Sequence, residues 1–161
     1  MALADFIPPE GQRRSADAIT DAERHTTGEI CVHVTPRCRY NVMKRAVKTF
    51  NRLHLYTTKR RNAVLIFIAY EDRKLAILGD TGINDAVPEG FWDGEVEELT
   101  RYLKAGRPVD GLCAIIARMG ERLSYYFPGE RDDENELSNE VTFDNGDDED
   151  EDRNDDYGNM E

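Results

Sequence analysis

An α/β fold, with a small mixed sheet between helices, is predicted by three features of the sequence. Residues 29–35 alternate apolar and polar side chains, and residues 63–70 form a continuous β-branched and aromatic run, so both read as strands. Between and after them, apolar residues recur at helical spacing. A single break in composition near residue 129 then separates one domain from an acidic end.

The break is one of charge. The 161 residues have a formal net charge of −12, but residues 130–161 hold 16 acidic and 2 basic side chains, whereas residues 1–129 hold 17 and 19. The body is thus nearly neutral, and with 39% hydrophobic residues the chain can close one core. We divide it into an α/β domain over 1–129 and an acidic tail over 130–161. The run from Asp147 to Asp152 repels itself, and the tail is expected to be mostly disordered. Residues 137–143 are the exception, because Leu137, Val141 and Phe143 could dock on the domain or add an edge strand.

The elements follow in order. Pro8 and Pro9 suit the first turn of a helix that runs to about Thr27, with Gly28 at its exit. The strand over 29–35 places Ile30, Val32 and Val34 on one face and Cys31, His33 and Thr35 on the other. Asn41 is an N-cap for a helix whose stripe is Val42, Met43, Ala46, Val47, Phe50 and Leu53. After the central strand over 63–70, the turn at Glu71, Asp72 and Arg73 returns the chain as a hairpin strand over 74–78. Residues 79–85, with two glycines and no periodicity, read as a loop. Trp92, Val96, Leu99 and Leu103 mark a helix ending near Gly106. Pro108 opens another, whose stripe is Leu112, Ile115, Ile116, Met119, Leu123 and Tyr126.

A crossover through the second helix makes the first two strands parallel, and the hairpin makes the third antiparallel. Glu29, Asn62 and Asp80 should then lie at one end of the sheet and Asp72 at the other. The longest apolar run is far shorter than the about 20 residues a membrane span needs. Neither a secretion signal nor a C-x-x-C pair is present, so Cys31, Cys38 and Cys113 are expected as reduced thiols in a cytoplasmic protein.

The chain resembles the TPM-domain family, named for a thylakoid-lumen acid phosphatase, photosystem II repair proteins and a nematode receptor accessory protein. The resemblance rests on Thr26-Thr-Gly-Glu-Ile-Cys-Val-His33, on Arg61-Asn-Ala-Val-Leu-Ile-Phe-Ile-Ala-Tyr-Glu-Asp-Arg-Lys74 and on Ile77-Leu-Gly-Asp-Thr-Gly-Ile-Asn84, within residues 8–127. It implies a three-layer α/β/α Rossmann-like sandwich, and calcium or another divalent ion in some members. Two positions depart from the family pattern: Ala63 replaces a usual glycine, and Cys31 a common basic residue.

Glu29, Asn62, Asp80, Asn84 and Asp85, with a backbone carbonyl near Gly82, form the candidate metal set. Ca²⁺ and Mg²⁺ select such carboxylate, amide and carbonyl oxygens. The competing account is that Asp80 and Asn84 satisfy loop amides while Asp85 caps a helical turn. Cys31 and His33 share a strand face, as a thiol nucleophile and its base would, although packing under a helix is the commoner role. Nine Lys or Arg and no acid occupy 37–61, which reads as a solvated helix face, as an anion patch or as a surface screened by the acidic tail. Phe91, Trp92, Tyr125, Tyr126 and Phe127 are read as core.

The leading reading is therefore a divalent-metal-binding accessory or protein-interaction module, monomeric, with Ca²⁺ or Mg²⁺ as cofactor and a protein rather than nucleic acid or membrane as partner. The alternative is a metal-assisted acid phosphatase acting on phosphomonoesters. No D-x-D pair, Cys-x5-Arg loop or Walker loop accompanies it, and no catalytic residue is assigned.

Overall fold

Two apolar faces of one sheet organise the chain. The computed structural model describes residues 2–130 and 136–146. In order, α1 (Leu3–Phe6) and α2 (Pro9–Ala22) precede β1 (Glu29–Thr35); α3 (Val42–Arg52) and a 3-10 turn (Leu55–Thr57) lead to β2 (Ala63–Ala69). Then come β3 (Lys74–Gly79), α4 (Thr81–Asn84), α5 (Asp93–Lys104), α6 (Pro108–Tyr126) and β4 (Thr142–Phe143). The sheet order is β3-β2-β1-β4, with β1 parallel to β2 and β4, and β2 antiparallel to β3. The parallel crossover and the hairpin are both as expected.

Alternation along the strands assigns the layers. Ile30, Val32, Val34, Val64, Ile66 and Ile68 pack with Ile19 of α2, Leu99 of α5 and the α6 stripe. Cys31, Leu65, Phe67 and Ala69 face the other way, onto Ala46 and Phe50 of α3 and Leu55. Helices on both faces make this a three-layer α/β/α sandwich. Because β2 is buried on both faces, it reads as an unbroken apolar run. Each of its large side chains contributes about 1.5–3 kcal/mol of burial.

Three expectations need correction. The first long helix ends at Ala22, not near Thr27, because Thr26 leaves it to pair with Pro128 and to donate its hydroxyl to the Phe127 and Leu123 carbonyls. Residues 79–85 contain the turn α4, nucleated by Asp80, whose carboxylate accepts the Thr81 amide at 2.7 Å. One turn is too short to leave a periodic signal. On α3 the buried face includes Arg45 and Thr49, while Met43 is exposed. The expected edge strand within 137–143 is present: residues 136–146 run along the domain and supply β4. The acidic run at 147–152 lies outside the described residues. No helix among the described residues is long and apolar enough to cross a membrane.

Candidate functional site

Parallel pairing and the hairpin bring three expected residues to one end of the sheet. The Glu29 amide donates to the Asn62 carbonyl at 3.3 Å, and the Asp80 amide donates to the Ala63 carbonyl at 2.9 Å. At the opposite end, the Asp72 carboxylate accepts the Cys38 amide at 2.7 Å. Convergence of Glu29, Asn62 and Asp80 is thus a product of strand order.

Their side chains have different surroundings. Arg61, held at φ +52, lays its guanidinium across the Asp80 carboxylate, with Nε and Nη2 at 2.8 and 2.9 Å. Glu29 is 1% exposed, and its two oxygens accept the Leu137 amide at 2.7 Å and the Glu136 amide at 3.1 Å. Asn62 donates its amide to Thr27 Oγ1 at 3.1 Å, while its buried Oδ1 has no hydrogen-bond partner. Asn84 donates to the Gly79 carbonyl at 3.1 Å, and it and Asp85 lie on the exposed side of α4. Gly82 presses against the Arg60 and Arg61 carbonyls: a Cβ there would stand 2.2 and 2.6 Å from their oxygens.

For a divalent cation, this end therefore offers one unanswered hard oxygen, Asn62 Oδ1, and one carboxylate, Asp80, whose guanidinium partner is 48% exposed. Glu29 fits such a role only after releasing two backbone amides. Among the described residues no group of three or more His, Cys, Asp or Glu could hold a metal ion.

Cys31 and His33 do share a face, beneath α3, as the alternation predicts. Burial, reinforced by the negative charges of Glu23 and Glu29, pushes the Cys31 thiol far above its ordinary range, which disfavours the nucleophilic thiolate. We expect an aromatic disulfide reagent at neutral pH to label Cys113, which is partly exposed, ahead of Cys31 and Cys38, which are buried and should react only on unfolding. Mass spectrometry of the labelled native protein checks the order, and equal rates for Cys31 and Cys113 would contradict it.

One buried charged cluster is not evident from the sequence pattern. His33 lies between two residues of the 136–146 segment, with Nδ1 2.7 Å from Thr142 Oγ1 and Nε2 2.7 Å from Asp144 Oδ2. The Asp144 carboxylate also accepts the Thr35 hydroxyl, the Gly146 amide at 2.7 Å and the Arg45 guanidinium at 3.1 Å. The Arg45 side chain is 0% exposed, lies with Cζ 5.5 Å from the Phe67 ring centroid, and donates to Thr49 at 2.8 Å. Burial opposes charge on Asp144, but the His33 and Thr35 hydrogen bonds, the Arg45 charge and the Gly146 amide outweigh it and hold the carboxyl well below the usual carboxylate range. The sequence did carry a signal, since Arg45 and Thr49 sit beside Ala46 and Phe50 on one helix face.

Comparison with known proteins completes the identification. The family profile of the TPM domain matches residues 1–122. The chain belongs to the TPM-domain family. A similar solved structure is that of the BA42 protein from the psychrophilic bacterium Bizionia argentinensis, 38% identical, with a TM-score of 0.81 over 89% of this chain and 99% of that one. The N-terminal domain of the cg2496 protein from Corynebacterium glutamicum shares the fold, at 17% identity and a TM-score of 0.53, over 80% of this chain and 81% of that one. No curated protein matches the chain.

In this TPM domain the basic stretch is not one surface, because Arg45 is core and Arg61 is engaged with Asp80. Of the aromatic group, Trp92 is buried, and Phe91 and Phe127 pack against the core. Tyr125, however, is 82% exposed and is not part of it.

Proposed function

We propose that this TPM domain is an accessory module that works by binding, taking a divalent cation at its Asn62–Asp80 end and a protein partner elsewhere. Asn62 Oδ1 is the observation that supports the cation. A buried, unpaired amide oxygen costs about 1–3 kcal/mol, which coordination to Ca²⁺ or Mg²⁺ would offset. Asp80 lies one strand over by register and would add the carboxylate once the solvent-facing Arg61 swings away. With two protein ligands and the remaining positions held by water, the site is a weak one. Three free thiols suit a reducing compartment such as the cytoplasm.

An amide NMR titration of the full chain with Ca²⁺ and then Mg²⁺ tests this. Saturable shifts at Asn62 and residues 79–85 are expected, weakened at least tenfold in Asp80→Asn. Shifts confined to residues 130–161 would remove the cation from the function. The alternative, metal-assisted hydrolysis of phosphomonoesters, would have to run through the same end, because Cys31 and His33 are buried. Asp80-dependent turnover of a chromogenic phosphate ester would establish it over the accessory role.

A further inference from the structure

Strand β1 has two unlike edges. One pairs with β2 at every position from Glu29 to Thr35, while the other pairs with β4 only at His33 and Val34. Before that pairing begins, a side chain takes the place of a neighbouring strand, since the Glu23 carboxylate accepts the Ile30 amide at 2.8 Å; within it, the Thr142 hydroxyl also donates to the Val32 carbonyl at 3.2 Å. The Asp144 amide donates to the Val34 carbonyl at 3.1 Å at the end of this short pairing. An edge met this way is a template for a strand added from outside.

The segment now lying on it is held at two ends. Glu29 catches the amides of Glu136 and Leu137, and the pocket of Arg45, His33 and Thr35 catches the carboxylate of Asp144. Between them Val141 is 8% exposed, while Phe143 is 57% exposed beside an open cleft of about 590 Å³ bordered by Leu3, Pro36 and Tyr70. Two apolar side chains help to hold this segment, Val141 within one core and Leu137 against the other, and its polar anchors include backbone amides and the Asp144 carboxylate.

We propose that the outer edge of β1, with the Arg45 pocket at its end, is a docking site for an extended acidic segment of a partner protein, and that residues 136–146 are its resident occupant. The inference deepens the accessory-module reading, on which it rests, by naming the surface and the chemistry of the partner. Backbone pairing and Glu29 supply affinity for any extended chain. The buried guanidinium supplies selectivity: a competing segment does best with a carboxylate at Arg45, because a neutral replacement would remove the carboxylate that faces a desolvated cation. The tether gives the resident segment the advantage of intramolecular concentration, so a partner must match its contacts or add to them, and the exposed Phe143 and the adjoining cleft leave room for the latter.

Two measurements on the full chain test this. Native-state hydrogen exchange should show the amides of Leu137, Asp144 and Gly146 exchanging at least tenfold faster than those of β2, as a segment that opens by itself. Equal rates, with all of them exchanging through global unfolding, would make the segment plain structure and overturn the proposal. Next, a labelled synthetic peptide of residues 136–146 is titrated into the full chain and into full-length Asp144→Asn, whose β2 amide shifts report that it is folded. The peptide should bind the variant at least tenfold more tightly than the unaltered chain, and a peptide carrying Asp144→Asn should lose at least tenfold. Equal binding of the two peptides, or no binding of either at millimolar concentration, would overturn the proposal. Should Asp144→Asn not fold, excess native peptide must shift the Thr35 and Val34 amides of the unaltered chain, and unmoved amides are the negative result. The cation titration is read at Asn62 and residues 79–85, and the peptide titration at Val34 and Thr35 at the other end of β1, so either reading can fail alone.

Discussion

Asp144→Ala is expected to lower the unfolding free energy at neutral pH by about 3 kcal/mol, the lower end of what breaking a buried ion pair costs. Arg45 is fully buried and remains charged at any pH a protein survives, so removing the carboxylate opposite it leaves a desolvation cost in place. The loss is capped because a variant that releases residues 136–146 lets water reach the guanidinium. The folded chain holds the Asp144 carboxyl well below its ordinary value of about 4, so its contribution is complete above that pH and is lost as the pH falls towards the lowered value. Denaturant unfolding of the two proteins should therefore show a full difference at pH 7 that shrinks on acidification below about pH 4. A difference that grows on acidification would contradict the assignment.

Gly82→Ala is the second large effect, a loss of about 2–3 kcal/mol. The added methyl meets two backbone carbonyl oxygens, those of Arg60 and Arg61, which cannot swing aside as a flexible side chain can. To make room, α4 must leave the end of β2, and Asp80, which caps α4, moves with it. The variant should thus lose both stability and cation affinity. Gly94→Ala is the matching control, because the only neighbour within 4 Å is the end of the Arg118 side chain, at 3.4 Å. It should unfold within about 0.5 kcal/mol of the unaltered chain, or be slightly more stable from the gain in helix propensity. Urea midpoints of the three proteins decide the matter, and similar losses in both variants would show that the close approach at Gly82 is not the cause.

Strand order was legible because it follows from rules that act locally. The apolar run over β2 required burial on both faces, the Glu71–Arg73 turn required a hairpin, and one helix between β1 and β2 required a parallel crossover. From these, the meeting of Glu29, Asn62 and Asp80 could be deduced before any coordinates. What each side chain does there could not. Arg61 is adjacent to Asn62 in sequence, but its grip on Asp80 depends on a left-handed backbone at one residue, which no periodicity reports. Glu29 is taken by amides 107 and 108 residues further along the chain.

The tail shows the same division. Its charge predicts a segment unable to build a core, and by composition Asp144 is one acid among sixteen. Only the fold distinguishes it, by placing a fully buried arginine, a histidine and a threonine from two different elements around its carboxylate. The sequence by itself thus determined the α/β sandwich, its strand directions and the end of the sheet where oxygen donors gather, since hydrophobic period and chain connectivity are local properties. The tertiary structure alone decided which charges are compensated and which acid is held at Arg45, because a buried charge finds its partner through space, and the free energy of desolvation that fixes the pairing exists only once the core has closed.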